Sequence, residues 1–134
     1  MGKARILIVE DEILVAADLE ARLEDAGFDS IGIAADMPTA ISLANGKPDL
    51  ALVDIHLRDG PTGVSVGRTL TEAGVCVLFV TANPRMALDG GRVGLGVLSK
   101  PCEDKVLQAA LSYALMARHD SSASPPAGLT LLTA

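Results

Sequence analysis

Apolar runs stand at 6–9 (Ile-Leu-Ile-Val), 50–53 (Leu-Ala-Leu-Val) and 75–80 (Val-Cys-Val-Leu-Phe-Val), away from any helical spacing. Unbroken apolar runs this short predict strands buried on both faces. Residues 30–35 read as a weaker strand and residues 95–99 as a short last one. Between these runs the apolar positions change to helical spacing. Val15 and Ala16, Leu19, Leu23 and Ala26 share one side, Asp18, Glu20, Arg22 and Glu24 the other, and Gly27 is placed to stop the helix. Asp36 predicts the cap of a second helix, with Pro38 in its first turn, Ile41 and Ala44 turned inward, and residues 45–48 (Asn-Gly-Lys-Pro) ending it. A third helix is expected from Thr62 or Gly63 to Ala73, closed by Gly74. Residues 85–94 should hold a fourth, but Gly90, Gly91 and Gly94 each weaken a helix by about 1 kcal/mol relative to Ala, so a short or mobile one is expected. Residues 103–118 predict a last helix with Val106, Ala110 and Tyr113 beside Leu107, Leu111 and Ala114.

Five strands alternating with five helices predict an α/β fold. Connections of this length require right-handed crossovers, hence a parallel sheet with helices on both faces, and the common strand order for five is 2-1-3-4-5. Residues 1–118 make this domain. Residues 119–134 change character: 121–128 (Ser-Ser-Ala-Ser-Pro-Pro-Ala-Gly) has linker composition, and a flexible C-terminal tail is expected, its closing Leu129-Thr-Leu-Leu132 frayed rather than docked.

Composition narrows the class. Of 134 residues, 49% are apolar and 21% charged, which suits one globular domain. Aromatics are 2% with no Trp, so the core must be built from Leu, Val, Ile and Ala. A net charge of -6 with no basic run argues against nucleic acid as a partner. Cys76 and Cys102 form no metal or redox motif and read as buried thiols of a reducing compartment. Nothing resembles a signal peptide or a membrane span, so a cytoplasmic protein is expected.

In an open parallel sheet, ligands bind beyond the carboxyl ends of the strands. Four of the five expected strands end there in ionic or reactive residues: Glu10 and Asp11, Asp54, Thr81 and Lys100. Asp54 follows a fully apolar run, where a carboxylate is costly unless paired, bound to a cation or chemically employed. Clustered carboxylates repel unless a cation sits among them, and an oxygen-only, partly wet donor set suits Mg²⁺. A hydroxyl from Thr81 and an ammonium from Lys100 could hold an anionic group, which makes Asp54 a candidate nucleophile toward a phosphoryl group. Taken singly, Asp54 could be a turn cap, Glu10-Asp11-Glu12 an acidic first helical turn, Thr81 a plain strand end and Lys100 a solvated lysine.

In this order and on strand ends, Ile-Leu-Ile-Val-Glu10-Asp11-Glu, Leu-Val-Asp54, Val-Thr81-Ala82 and Ser-Lys100-Pro101 resemble the receiver domain of bacterial two-component response regulators. The resemblance covers residues 3 to about 118 and is to the stand-alone type, with a looser likeness to atypical alphaproteobacterial receivers in the run Leu-Phe-Val-Thr-Ala-Asn83. It implies a flavodoxin-like receiver fold, and Asp54 as acceptor of phosphate from a sensor histidine kinase or phosphotransfer protein. It also implies Mg²⁺ held by Asp11, Asp54 and the backbone carbonyl of His56, with Glu10 acting through metal-bound water. Lys100 would pair with the phosphoryl oxygens, Thr81 would report the phosphate, and Pro101 would follow a cis peptide. The output would be an unnamed downstream protein contact, with no substrate turned over. Several positions depart from the family pattern. Val97 stands where a switch Tyr or Phe is usual, Cys102 where Phe commonly follows Lys-Pro, and His56 and Asn83 occupy variable positions that tune dephosphorylation. A phosphate-independent interaction module on the same fold is the alternative. A haloacid-dehalogenase-like phosphohydrolase is disfavoured, because His56 stands where a second Asp would be needed.

Overall fold

The structure, a computed structural model, describes residues 3–91, 93–118 and 124–132. Its elements are β1 (Arg5–Val9), α1 (Ile13–Asp25), β2 (Asp29–Ala34), α2 (Met37–Ala44), β3 (Leu50–Val53), α3 (Gly63–Glu72), β4 (Cys76–Thr81), α4 (Pro84–Asp89), β5 (Gly96–Ser99), α5 (Asp104–Ala117) and β6 (Leu129–Leu131). The sheet order is β2-β1-β3-β4-β5-β6, with the first five strands parallel and β6 antiparallel to β5. The α/β class and the 2-1-3-4-5 order match the sequence reading.

The central strands are apolar through their middles, residues 6–9 in β1, all of β3, and residues 77–80 in β4, because helices cover both faces. Leu7, Val9, Ala51, Val53, Val77, Phe79 and Val97 pack on one side, against a layer that includes Val66 and Leu70 of α3 and Ala87 of α4. Ile6, Ile8, Leu50, Leu52, Leu78, Val80 and Leu98 alternate to the other, against Leu19 and Leu23 of α1 and Leu107 and Leu111 of α5. α4 is six residues long, as its glycines imply. Among the described residues, no helix is long and apolar enough to cross a membrane.

Two expectations need correction: the sheet has six strands rather than five, and the end of the tail is docked rather than frayed. Leu129 and Leu132 are buried, Thr130 stands opposite Val97, and the Leu132 amide donates to the Leu95 carbonyl at 3.0 Å. Two buried leucines outweigh the ordering cost of a short segment whose composition reads as linker. Residues 119–123 and 133–134 of the expected tail lie outside the described residues.

α2 starts as its sequence predicts. The Asp36 carboxylate accepts from the Thr39 amide at 3.0 Å and also pairs with the Arg58 guanidinium. These contacts, Thr39 foremost, hold its pKa down at about 2. A depressed carboxylate contributes stability above its unfolded value and loses it as pH falls through the folded one. The window is therefore about 3.8 down to about 2. Asp36→Asn keeps a capping oxygen but does not titrate. In thermal melts across that window, the variant is expected to lose less stability than wild type, and parallel curves would refute the assignment.

Candidate functional site

The parallel register brings the ends of β1, β3, β4 and β5 to one rim, because Val9 stands beside Val53, Val53 beside Phe79, and Thr81 beside Ser99. Glu10, Asp54, Ala82 and Lys100 each leave the sheet one residue later. Every candidate read from the strand ends arrives at this rim.

Asp54 has a side chain only 13% exposed, yet it is hydrogen-bonded on both oxygens. Oδ1 accepts from the Ile55 amide at 2.7 Å and Oδ2 from Lys100 Nζ at 2.8 Å. The same ammonium donates to Glu10 Oε1 at 2.5 Å, and Glu10 Oε2 accepts from the Glu12 amide at 3.1 Å. Burial pushes the Glu10 carboxyl up from its ordinary value, and the Lys100 hydrogen bond only partly opposes it. Burial also works against the Lys100 charge, but hydrogen bonds to Asp54 and Glu10 prevail and raise its pKa. Lys100 is thus a firmly held cation between two carboxylates.

Asp11 is exposed at the rim, and oxygens of Glu10, Asp11 and Asp54 lie within 4.8 Å of one another. With all groups ionised, one ammonium does not balance three carboxylates. The residual negative charge and the all-oxygen donor set fit a hard divalent cation of the Mg²⁺ type. Beside the trio is an open basin of about 320 Å³ lined by Asp11, Asp54, His56, Thr81, Asn83 and Lys100 among others.

Thr81 is buried at the end of β4, and its Oγ1 accepts from the Asn83 amide at 3.1 Å. Asn83 precedes α4 with an exposed side chain that caps nothing, and the His56 side chain is exposed as well. The Lys100–Pro101 peptide is cis. Val97 does not reach the rim; it is 2% exposed, within the core on the α3 and α4 side.

The sequence reading missed the supports of the site. The Arg58 amide donates to the Ala35 carbonyl at 2.9 Å and its guanidinium pairs with Asp36, so the loop carrying His56 is tied to the start of α2. Arg22 of α1 reaches the Cys102 carbonyl and the Asp104 carboxylate, both at 2.5 Å, and so pins the loop behind Lys100. Arg22 does appear among the polar positions of α1, but no spacing rule links it to residue 104. A second cleft of about 480 Å³, walled by Leu19, Leu52, Val80 and Leu107, runs between α1 and α5 up to Lys100.

Comparison with known proteins bears on the family and the fold. Residues 6–112 match the family model described as the response regulator receiver domain. The phyllosphere-induced regulator PhyR of Methylorubrum extorquens is 40% identical over 114 residues, covering 82% of this chain and 43% of that protein. The solution structure of the receiver domain of PhyR from Erythrobacter litoralis superposes with a TM-score of 0.81 at 33% identity, covering 92% of this chain and 98% of that one. The crystal structure of the anti-anti-sigma factor PhyR from Bartonella quintana gives a TM-score of 0.77 at 30% identity, covering 91% and 51%. This chain therefore spans about half, or less, of the longer relatives.

Proposed function

The chain belongs to the response regulator receiver family, and from that premise we propose that Asp54 is its phosphoacceptor in two-component signalling. The observation that carries this reading is the Lys100 ammonium seated between Asp54 and the buried Glu10, with Asp11 completing an acidic trio. The donor is a phosphohistidine of a sensor kinase or phosphotransfer protein. An Asp54 carboxylate oxygen attacks phosphorus, the P–N bond breaks, and the leaving imidazole takes up a proton. Glu10, Asp11, Asp54 and the His56 carbonyl would hold Mg²⁺, which when bound neutralises charge on the phosphoryl oxygens. Lys100 pairs with the same oxygens, and Thr81 turns its hydroxyl from the Asn83 amide toward them. Ile13 and Leu14, 77% and 82% exposed at the start of α1 next to Asp11, give the phosphodonor an apolar contact.

The output is a protein contact rather than turnover of a separate substrate. One relative is described as an anti-anti-sigma factor, which makes a regulatory protein the proposed class of downstream partner. The buried Val97 favours a second reading, a module that binds its partner without phosphate, since it offers no ring to swing inward.

Intact-mass spectrometry after incubation with Mg²⁺ and a small phosphodonor tests the main reading. One added phosphoryl group is expected, absent from Asp54→Asn and without Mg²⁺. No addition from the small donor or from candidate kinases would leave the phosphate-independent module. Because His56 and Asn83 line the basin beside Asp54, His56→Ala and Asn83→Ala are each expected to change the lifetime of phospho-Asp54. Identical decay of wild type and both variants, followed by loss of the added mass, would exclude that role.

A further inference from the structure

Among the described residues, the outer edge of β5 is paired only with a short strand. β6 pairs with it over three positions, Gly96 with Leu131, Val97 with Thr130 and Leu98 with Leu129, and the Leu132 amide adds one bond beyond. Leu129 packs with the α1 and α5 side of the core and Leu132 with the α3 and α4 side, so the segment grips the sheet on both faces.

The seat is shaped for a strand. A Cβ on Gly96 would stand 2.7 Å from Leu129 Cδ1 and 2.9 Å from the Thr130 carbonyl oxygen. At Gly128, which enters the strand with a φ of +91°, a Cβ would stand 2.7 Å from Val106 of α5. Two glycines thus create the close approach, one on the sheet and one on the occupant. The occupant, Leu-Thr-Leu-Leu, carries no charge; Leu129 and Leu132 are buried, and Leu131 packs half-buried on the same side as Leu129.

We propose that this edge is a strand-acceptor site for an extended, uncharged, leucine-rich segment of a partner protein, and that residues 129–132 are a resident strand which the partner must displace. Main-chain pairing supplies affinity and the two leucine seats supply selectivity, as in other recognition by strand addition. The resident segment is three paired residues long, short enough to exchange, and the sequence before it, 121–128, has linker composition. The acceptor strand is the one that leads into Lys100, so an incoming segment pairs along the backbone that feeds the rim. None of this depends on phosphorylation of Asp54.

The test uses the full chain and a fluorescent synthetic peptide of residues 126–134, read by anisotropy. Leu132→Asp loosens the resident strand. Thr130→Pro does so through the backbone at an exposed position, and serves if the first variant fails to fold. Freeing the edge is expected to tighten peptide binding at least about tenfold over wild type. Adding Gly96→Val to either variant, with folding checked by a cooperative melt, should abolish it. No gain in a loosened, folded variant would overturn the proposal, as would binding that survives Gly96→Val. Dimerisation of the loosened variant through this edge would instead assign the site to a second copy of the chain, and the partner assignment would fall.

Discussion

Lys100→Met is expected to slow phosphoryl labelling of Asp54 by on the order of a hundredfold or more, while strengthening Mg²⁺ binding. The two effects have opposite signs because the ammonium does two jobs. Toward the phosphoryl oxygens it is a preorganised positive charge. In the absence of metal it occupies Glu10 and Asp54, at 2.5 and 2.8 Å, and so competes with a cation for the same oxygens. Removing a unit charge at such distances from the cation is expected to raise affinity roughly tenfold or more. The metal-free variant is also expected to melt lower than wild type, since two poorly solvated carboxylates lose their common partner. Mg²⁺ should then raise its Tm more than that of wild type. Titrations of both proteins followed by Tm and by a metal-sensitive probe would check this. Equal Mg²⁺ affinities would show that the ammonium does not compete.

Gly63→Ala is expected to be among the most damaging substitutions for stability. The Gly63 amide donates to the Ile55 carbonyl at 2.8 Å, which folds the loop after Asp54 back onto the strand it left. A Cβ at this position would lie 2.0 Å from the Asp54 carbonyl oxygen and 2.5 Å from Ile55 Cα. Both obstacles are backbone, so no rotamer change relieves them, and either α3 or the peptide after Asp54 must move. The expected cost is roughly 3 kcal/mol or more, which lowers Tm by about 10 °C. Labelling of Asp54 should fall as well, because the displaced atoms belong to the acceptor's own peptide. A melt within a degree or two of wild type would show that the loop yields elsewhere.

What could be read from the chain follows from how local each signal is. β1, β3 and β4 are each built on an unbroken apolar run, and parallel pairing then gathers Glu10, Asp54, Thr81 and Lys100 at one rim. The Asp36 cap lies within a single turn and was equally visible. The supports were not, because they join residues that no spacing rule links: Arg22 meets Asp104 across 82 positions, and Arg58 meets Asp36 across 22. β6 was hidden for another reason. Its three residues are too few for periodicity to register, and the serines and prolines before it signal a chain that owes its order to docking on the sheet.

The docked strand also bears on how the molecule is made. Ser99 ends the acceptor strand and Leu129 begins the covering one, so the ribosome completes β5 about 30 residues before it supplies β6. At about 5–20 residues per second that interval lasts a few seconds. Until β6 docks, the sheet has every strand of its parallel body but a bare edge at β5, with Leu98 and Val97 lacking their outer neighbours. Bare edges recruit other strands. Variants that delay or prevent the docking of Leu129 and Leu132 should therefore reveal themselves in the yield of soluble protein during synthesis before they do so in the melting temperature of what is recovered.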